Sequence, residues 1–316
     1  MKKILILTGD PNSINSEIIS KSWNKLSNRL KKKIYFVSNF DLFKSQLKKI
    51  GLSQNILKVK DVNSHVNSNK IKIIDLKISF KDPFKINNKV ASIFFKKMLN
   101  YAHNLCEKKD LKGFINCPID KKLLNKKGVT EYLAAKCNVK NNSEVMLIKN
   151  KRLSVSPITT HIRIKSVSKK ITKKIIVDKT RTIQSWYNTY EKKKPRIAIL
   201  GLNPHNSEFS SDSEESKIIK PAIKKLKKLK INVSGPFSSD TFFINDYKKY
   251  DVVIGMFHDQ VITPFKTLFG FNAINITLGL KYLRSSPDHG VAKNLIGKNR
   301  ADWSSLHSCI NYFDKF

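Results

Sequence analysis

Three islands in the last third of the chain carry side chains suited to metal or phosphate chemistry. They are Gly201-Leu202-Asn203-Pro204-His205, Met256-Phe257-His258-Asp259-Gln260, and Asn275-Ile276-Thr277-Leu278-Gly279-Leu280, the last running on to Arg284 and Asp288-His289-Gly290. His205 follows the apolar run Ile197-Ala198-Ile199-Leu200 and a glycine; His258 follows Val252-Val253-Ile254-Gly255. Short apolar runs that end in turn-forming residues read as buried parallel strands, whose carboxyl ends present ligand-binding loops. His161, after Thr159-Thr160, sits in a third such setting. Neutral imidazole is the commonest ligand for a divalent transition metal, and three of them leaving an open position form a catalytic pattern. Taken singly, each histidine suits a structural hydrogen bond better than a ligand role; the shared setting is what selects them. His65, His103 and His307 lack it.

A second set surrounds the final island. Lys266 offers a compact point charge, Asn275 a polar amide, and Arg284 a planar fork for phosphate or carboxylate. Arg284 is the more informative, because lysine dominates the 61 basic residues. Those 61 outnumber 24 acidic ones, a net charge of +37. The lysines run along the whole chain beside abundant Asn and Ile, which reads as compositional bias over solvated faces, with attraction of anionic small molecules as its consequence. The aromatic residues do not interleave with basic ones in any RNA-binding motif, so a nucleic-acid binder on a degenerate enzyme scaffold ranks a distant third. There is no GxGxxG, GxxxxGK[ST] or GxSxG, which leaves Rossmann, P-loop and hydrolase-elbow sites unsupported.

The elements that must position these residues alternate short apolar runs with longer amphipathic stretches, the rhythm of a mostly parallel α/β sheet. Strands are predicted at 4–7, 34–37, 56–59, 71–76, 113–116, 144–148, 153–155, 197–200, 252–254 and 273–276. Helices are predicted at 16–30, 41–50, 89–105, 180–192, 213–229 and from about 302. The strands at 144–148 and 153–155 are close enough to pair antiparallel. Four cysteines without CxxC spacing predict reduced thiols. The opening apolar run stops at Thr8-Gly9-Asp10-Pro11, too short for a signal peptide, and no stretch approaches a membrane span of roughly 20 apolar residues, so a cytoplasmic protein is expected.

With these motifs in place, the chain resembles the 4-hydroxythreonine-4-phosphate dehydrogenase family of pyridoxal phosphate biosynthesis, from residue 1 to about 310 and most strongly over 196–290. The stretches GLNPH, GPFSSDTFF, HDQ, NITLGL and the Arg284-to-Gly290 segment carry the likeness together. The resemblance implies a two-domain α/β/α architecture, isocitrate/isopropylmalate dehydrogenase-like, with the active-site cleft between domains. The expected division is 1–120 plus 270–316 for one domain and 121–269 for the other, which contributes to a dimer interface. It further implies that His161, His205 and His258 bind the metal, with His258 supplied by the partner subunit of a homodimer, and that Thr130, Lys266, Asn275 and Arg284 bind substrate. The implied cofactors are NAD (or NADP) and a divalent metal, Zn, Mg or Co. The implied reaction oxidises 4-phosphohydroxy-L-threonine to a β-keto acid that decarboxylates to 3-amino-2-oxopropyl phosphate. A sibling reading is a dehydrogenase of a phosphorylated sugar acid such as threonate or erythronate 4-phosphate.

The chain departs from the family at three motifs, one of them the glycine-rich loop after GLNPH, which reads Asn206-Ser207-Glu208-Phe209-Ser210. The family's Gly-Asp-Pro-Ala-Gly-Ile-Gly-Pro-Glu reads Gly9-Asp10-Pro11-Asn12-Ser13-Ile14-Asn15-Ser16-Glu17, and its Gly-His-Thr-Glu reads Gly128-Val129-Thr130-Glu131. Val129 has no side-chain donor or charge to offer a substrate.

Overall fold

A computed structural model describes residues 3–64, 66–125, 128–139 and 143–316, so His65 lies outside the described residues. The chain divides into two units, Met1–Tyr132 with Lys281–Phe316, and Leu133–Leu280. The described strands, in chain order, are β1 (Ile4–Leu7), β2 (Ile34–Ser38), β3 (Ile56–Val59), β4 (Ile71–Asp75), β5 (Gly113–Asn116), β6 (Val145–Lys149), β7 (Ser154–Thr159), β8 (Ile197–Leu200), β9 (Val233–Phe237), β10 (Val252–Phe257), β11 (Ile274–Leu278) and β12 (Leu283–Pro287). No helix among the described residues is long and apolar enough to cross a membrane.

In the first unit the strand order is β3-β4-β2-β1-β5-β12, and the pairings run parallel. Parallel strands covered on both faces read as continuous apolar runs; β1 is buried at all four residues. The helix Asn88–Glu107, capped by the Asn87 side chain, buries Phe94, Phe95, Met98, Leu99 and Ala102 at helical spacing, and packs on β1 and β5. In the second unit the order is β11-β6-β7-β10-β8-β9. β11–β6 and β6–β7 pair antiparallel, whereas β7–β10, β10–β8 and β8–β9 are parallel. The β6–β7 turn is built by Asn150, whose Oδ1 accepts from the backbone N–H of Arg152 and Leu153.

The helix expected over 16–30 is two helices, Asn15–Lys25 and Asn28–Lys33. Ser27 breaks it: its extended backbone and side-chain bond to Leu30 N start a new helix, as Ser at an N-cap does. The helix expected from 180 begins at Lys173, where Thr172 caps Ile175 N, and widens at Tyr187–Glu191 into a π turn. β9, β12 and the helices Val129–Lys136 and His258–Phe269 have no counterpart among the sequence expectations. β9 carries Gly235-Pro236, which argues against a strand except at a sheet edge, and β9 ends the second unit's order. The helix from His258 contains Pro264, a helix breaker placed just beyond its first turns. The four cysteines are buried and unbonded.

Lys72, in the middle of β4, is fully buried. Its ammonium donates to the carbonyls of Lys31, Lys32 and Ser68 and stands over the Tyr35 ring. Burial lowers its pKa to about 8. The unfolded chain therefore holds this proton to higher pH than the folded one. Stability should rise with pH between about 8 and the ordinary lysine value near 10.4. Denaturant unfolding across that window should show this rise, relative to Lys72→Met, in which the lysine contribution is absent; parallel curves for the two proteins would contradict it.

Candidate active site

β10 pairs in parallel with β7 on one side and β8 on the other, so the carboxyl ends of all three strands lie along one edge. The register sets Phe257 opposite Thr159, and the Thr159 hydroxyl donates to Met256 O at 2.7 Å. His161 and His258 therefore leave their strands at one level, and their rings lie 5.7 Å apart between centroids. His258 is the first residue of the helix His258–Phe269. Its Nδ1 is 2.7 Å from Asp259 Oδ1, a contact that orients the ring and directs Nε2 elsewhere.

His205 follows β8. Its loop is unusual, because His205, Asn206, Ser207, Glu208 and Phe209 all hold φ between 47° and 55°. Five consecutive non-glycine residues in the left-handed region cost roughly 1–2 kcal/mol each. This strain is where the family's glycine-rich loop is replaced. His205 is largely solvent-exposed, with Nε2 4.0 Å from Asp240 Oδ2. The exposed Glu208 gives a test of the backbone alone. Glu208→Gly should raise the unfolding free energy by about 1 kcal/mol, and Glu208→Val should lower it by at least as much. Equal stabilities for both variants in urea unfolding would remove strain from the description.

The turn before His205 is clamped from one side by Glu215, which is fully buried. Its Oε1 accepts from Leu202 N at 2.7 Å and Asn203 N at 2.9 Å, and Oε2 accepts from the Asn203 amide at 3.0 Å. Burial works to raise this carboxyl, but the hydrogen bonds from Asn203 and Leu202 outweigh it and hold the pKa below the usual range. Its carboxylate thus folds back on the turn that leads to His205. The segment it opens is a π turn, Glu215–Ile219, running into the helix Lys220–Lys228.

Lys266 lies in the last turn of the His258 helix, half-buried, its ammonium 4.5 Å from the Phe271 ring centroid. Asn275 sits in β11, and its Oδ1 is buried with no hydrogen-bond partner. A buried unsatisfied acceptor is costly, and a ligand donor would relieve it. Five of the seven predicted site residues thus belong to the second unit.

Arg284 and Thr130 belong to the first. Arg284, in β12, is 3 % exposed, and its Nε donates to Asn116 Oδ1 in β5 at 2.7 Å. Burial lowers its pKa to about 10, still charged at neutral pH. Thr130 lies in the first turn of Val129–Lys136, half-buried, and Val129 beside it is buried. The position where the family has a histidine is thus a packing position here. The N-terminal departure, Asn12 to Ser16, has become a set of ties. The Asn12 side chain exchanges hydrogen bonds with the backbone of Ile86, and the Asn15 amide donates to the carbonyls of Thr8 and Pro118, both at 2.8 Å.

Two further described histidines, His103 and His307, stand away from the islands. His103 Nδ1 bonds Tyr282 OH, and His307 packs edge-on against Trp303. Asp240, Asp259, Glu215 and Gln260 were not among the predicted site residues. For Asp259 and Gln260 the signal was a carboxylate or amide beside a candidate ligand, whereas Asp240 and Glu215 lie far from His205 in sequence and carried none.

Residues 29–313 match the family described as pyridoxal phosphate biosynthetic protein PdxA. The chain is 39% identical over 319 aligned residues to the 4-hydroxythreonine-4-phosphate dehydrogenase of Sulfurihydrogenibium sp. (strain YO3AOP1), covering 98% of this chain and 97% of the relative. It is 34% identical to that of Aquifex aeolicus (strain VF5), covering 97% and 96%. The crystal structure of 4-hydroxythreonine-4-phosphate dehydrogenase from Klebsiella pneumoniae superposes with a TM-score of 0.85 at 26% identity, over 99% of both chains.

Proposed function

The chain belongs to the family of pyridoxal phosphate biosynthetic protein PdxA, and from that premise we propose that it is a 4-hydroxythreonine-4-phosphate dehydrogenase, an oxidoreductase of pyridoxal phosphate synthesis. Its fold is the isocitrate/isopropylmalate dehydrogenase-like α/β fold of that family. The reaction is NAD(P)-dependent oxidation of 4-phosphohydroxy-L-threonine to a β-keto acid, which loses CO₂ to give 3-amino-2-oxopropyl phosphate. The observation that carries this reading is the placement of His161, His205 and His258 at the carboxyl ends of three neighbouring parallel strands.

Three imidazoles fit a divalent transition metal, and suit Zn or Co better than Mg, which prefers oxygen. When bound, the metal would supply Lewis-acid polarisation of the hydroxyl on the carbon being oxidised, and the nicotinamide a hydride acceptor. The chain's own residues do the rest. Asp259 fixes the His258 ring. In the second unit Lys266 holds an anionic group of the substrate and Asn275 Oδ1 accepts a substrate donor, while family membership implies substrate contacts for Arg284 and Thr130. The +37 field draws the anionic substrate in.

The same reading makes the enzyme a homodimer with a shared site. Exposed apolar side chains beside the candidate ligands support a covered face: Ile162 and Ile164 follow His161, Phe209 follows His205, and Leu268 and Phe271 flank Lys266. Within one chain His161 and His258 already stand ring to ring, so the partner's share is open to experiment. Mixing His161→Ala with His258→Ala protein should regain activity if His258 crosses between subunits, and should stay inactive after verified subunit exchange if it does not.

The deciding assay is NADH or NADPH formation from 4-phosphohydroxy-L-threonine with and without chelator. Threonate and erythronate 4-phosphate belong in the same assay, because the buried Val129 removes a polar contact from the substrate side. Chelator-insensitive turnover would overturn the metal, and preference for a sugar-acid phosphate would reassign the substrate.

A further inference from the structure

We infer that Gln260 is a positioning residue that fixes the His205 loop against the His258 helix, an inference that rests on the metal reading above. Gln260 is in the first turn of that helix. Its Oε1 accepts from Met256 N in β10 at 2.6 Å, and its Nε2 donates to Gly201 O at the end of β8 at 2.7 Å. One amide therefore ties the strand that leads into His258 to the turn that leads to His205.

Gly255, inside β10, leaves room for the Gln260 amide, and Gly201, just after β8, leaves room for the Asn206 and Glu215 side chains that pack on the same turn. A Cβ on Gly255 would stand 2.9 Å from Gln260 Oε1, and one on Gly201 would stand 2.0 Å from Asn206 Oδ1 and 3.1 Å from Glu215 Oε1. Glycine inside a strand marks such close approach. Glu215 holds Leu202 N and Asn203 N while Gln260 holds Gly201 O, so the turn is gripped through donors and acceptor alike. The role needs one acceptor and one donor on a single side chain. Glutamate lacks the donor, lysine and arginine lack the acceptor, and asparagine is one carbon shorter.

The test titrates the metal-free chain with Co²⁺, read by its ligand-field absorption, for wild type, Gln260→Glu, Gln260→Met and His205→Ala. Hydrogen exchange of the 201–209 segment is measured in the same metal-free proteins. Residues that orient metal ligands typically cost about 10–100-fold in affinity when changed. Both Gln260 variants should weaken Co²⁺ by that factor and speed exchange at 201–209 about tenfold, with the far-ultraviolet circular dichroism of wild type. Unchanged exchange in both variants overturns the inference, as does faster exchange with wild-type Co²⁺ affinity. Undiminished Co²⁺ binding by His205→Ala instead overturns the metal reading itself, and the inference with it.

Discussion

His258→Ala should lose metal-dependent turnover by about a thousandfold or more while remaining folded. Lewis-acid stabilisation contributes several kcal/mol to such an oxidation, and each 1.36 kcal/mol is tenfold in rate. The substitution removes the imidazole that Asp259 orients and the ring that faces His161 at 5.7 Å. The fold should tolerate it, because the His258 side chain is 34% exposed and stands outside the buried cluster of Val253, Val261, Ile262 and Phe265. A histidine outside the core usually costs within about 0.5 kcal/mol when truncated. Metal content, turnover and unfolding midpoint measured together separate the roles. A variant that keeps stoichiometric metal and full rate would take His258 out of the site.

Arg284→Lys should raise the Michaelis constant for the phosphorylated substrate by roughly 10–100-fold, the equivalent of a lost hydrogen bond to a charged group. Charge is conserved, so a diffuse positive field would predict almost no change and a steep loss of rate with salt in both proteins. The guanidinium offers what an ammonium does not, a planar fork together with a further N–H. That N–H is the Nε bonded to Asn116, so the mutant also leaves a buried acceptor unsatisfied, about 1–3 kcal/mol of stability. Rate against ionic strength and urea unfolding on the same two proteins distinguish the effects. An unchanged Michaelis constant together with strong salt dependence would leave Arg284 as a structural residue.

The strands that carry the candidate ligands were legible because parallel strands covered on both faces must be apolar throughout: Ile197–Leu200 and Val252–Ile254 announce themselves. β12 was not, since Leu283-Arg284-Ser285-Ser286-Pro287 has one large apolar side chain and gains its place by pairing with β5. The break at Ser27 and the start at Thr172 are cap decisions, made by one hydroxyl each, and amphipathic periodicity runs straight through them. Among the candidate site residues, the histidines were visible by their turns. The side chains that aim them were hidden for a physical reason: Glu215 and Gln260 act on backbone groups 13 and 59 positions away in sequence. Which carbonyl an amide reaches is a property of strand order, and strand order was only partly readable.

The discontinuity of the first unit has a consequence for how the protein is made. β5 pairs with β1 on one side and with β12 on the other, and β12 lies in the segment that returns at Lys281. During synthesis at 5–20 residues per second, Gly113-Phe114-Ile115-Asn116 waits on the order of ten seconds for its second neighbour. Throughout that interval the nascent chain presents an apolar strand with an open hydrogen-bonding edge, the feature that recruits other chains. The whole second unit emerges in the meantime. Truncation before residue 283 would make that temporary edge permanent, so a chain shortened only at its end becomes aggregation-prone through its middle.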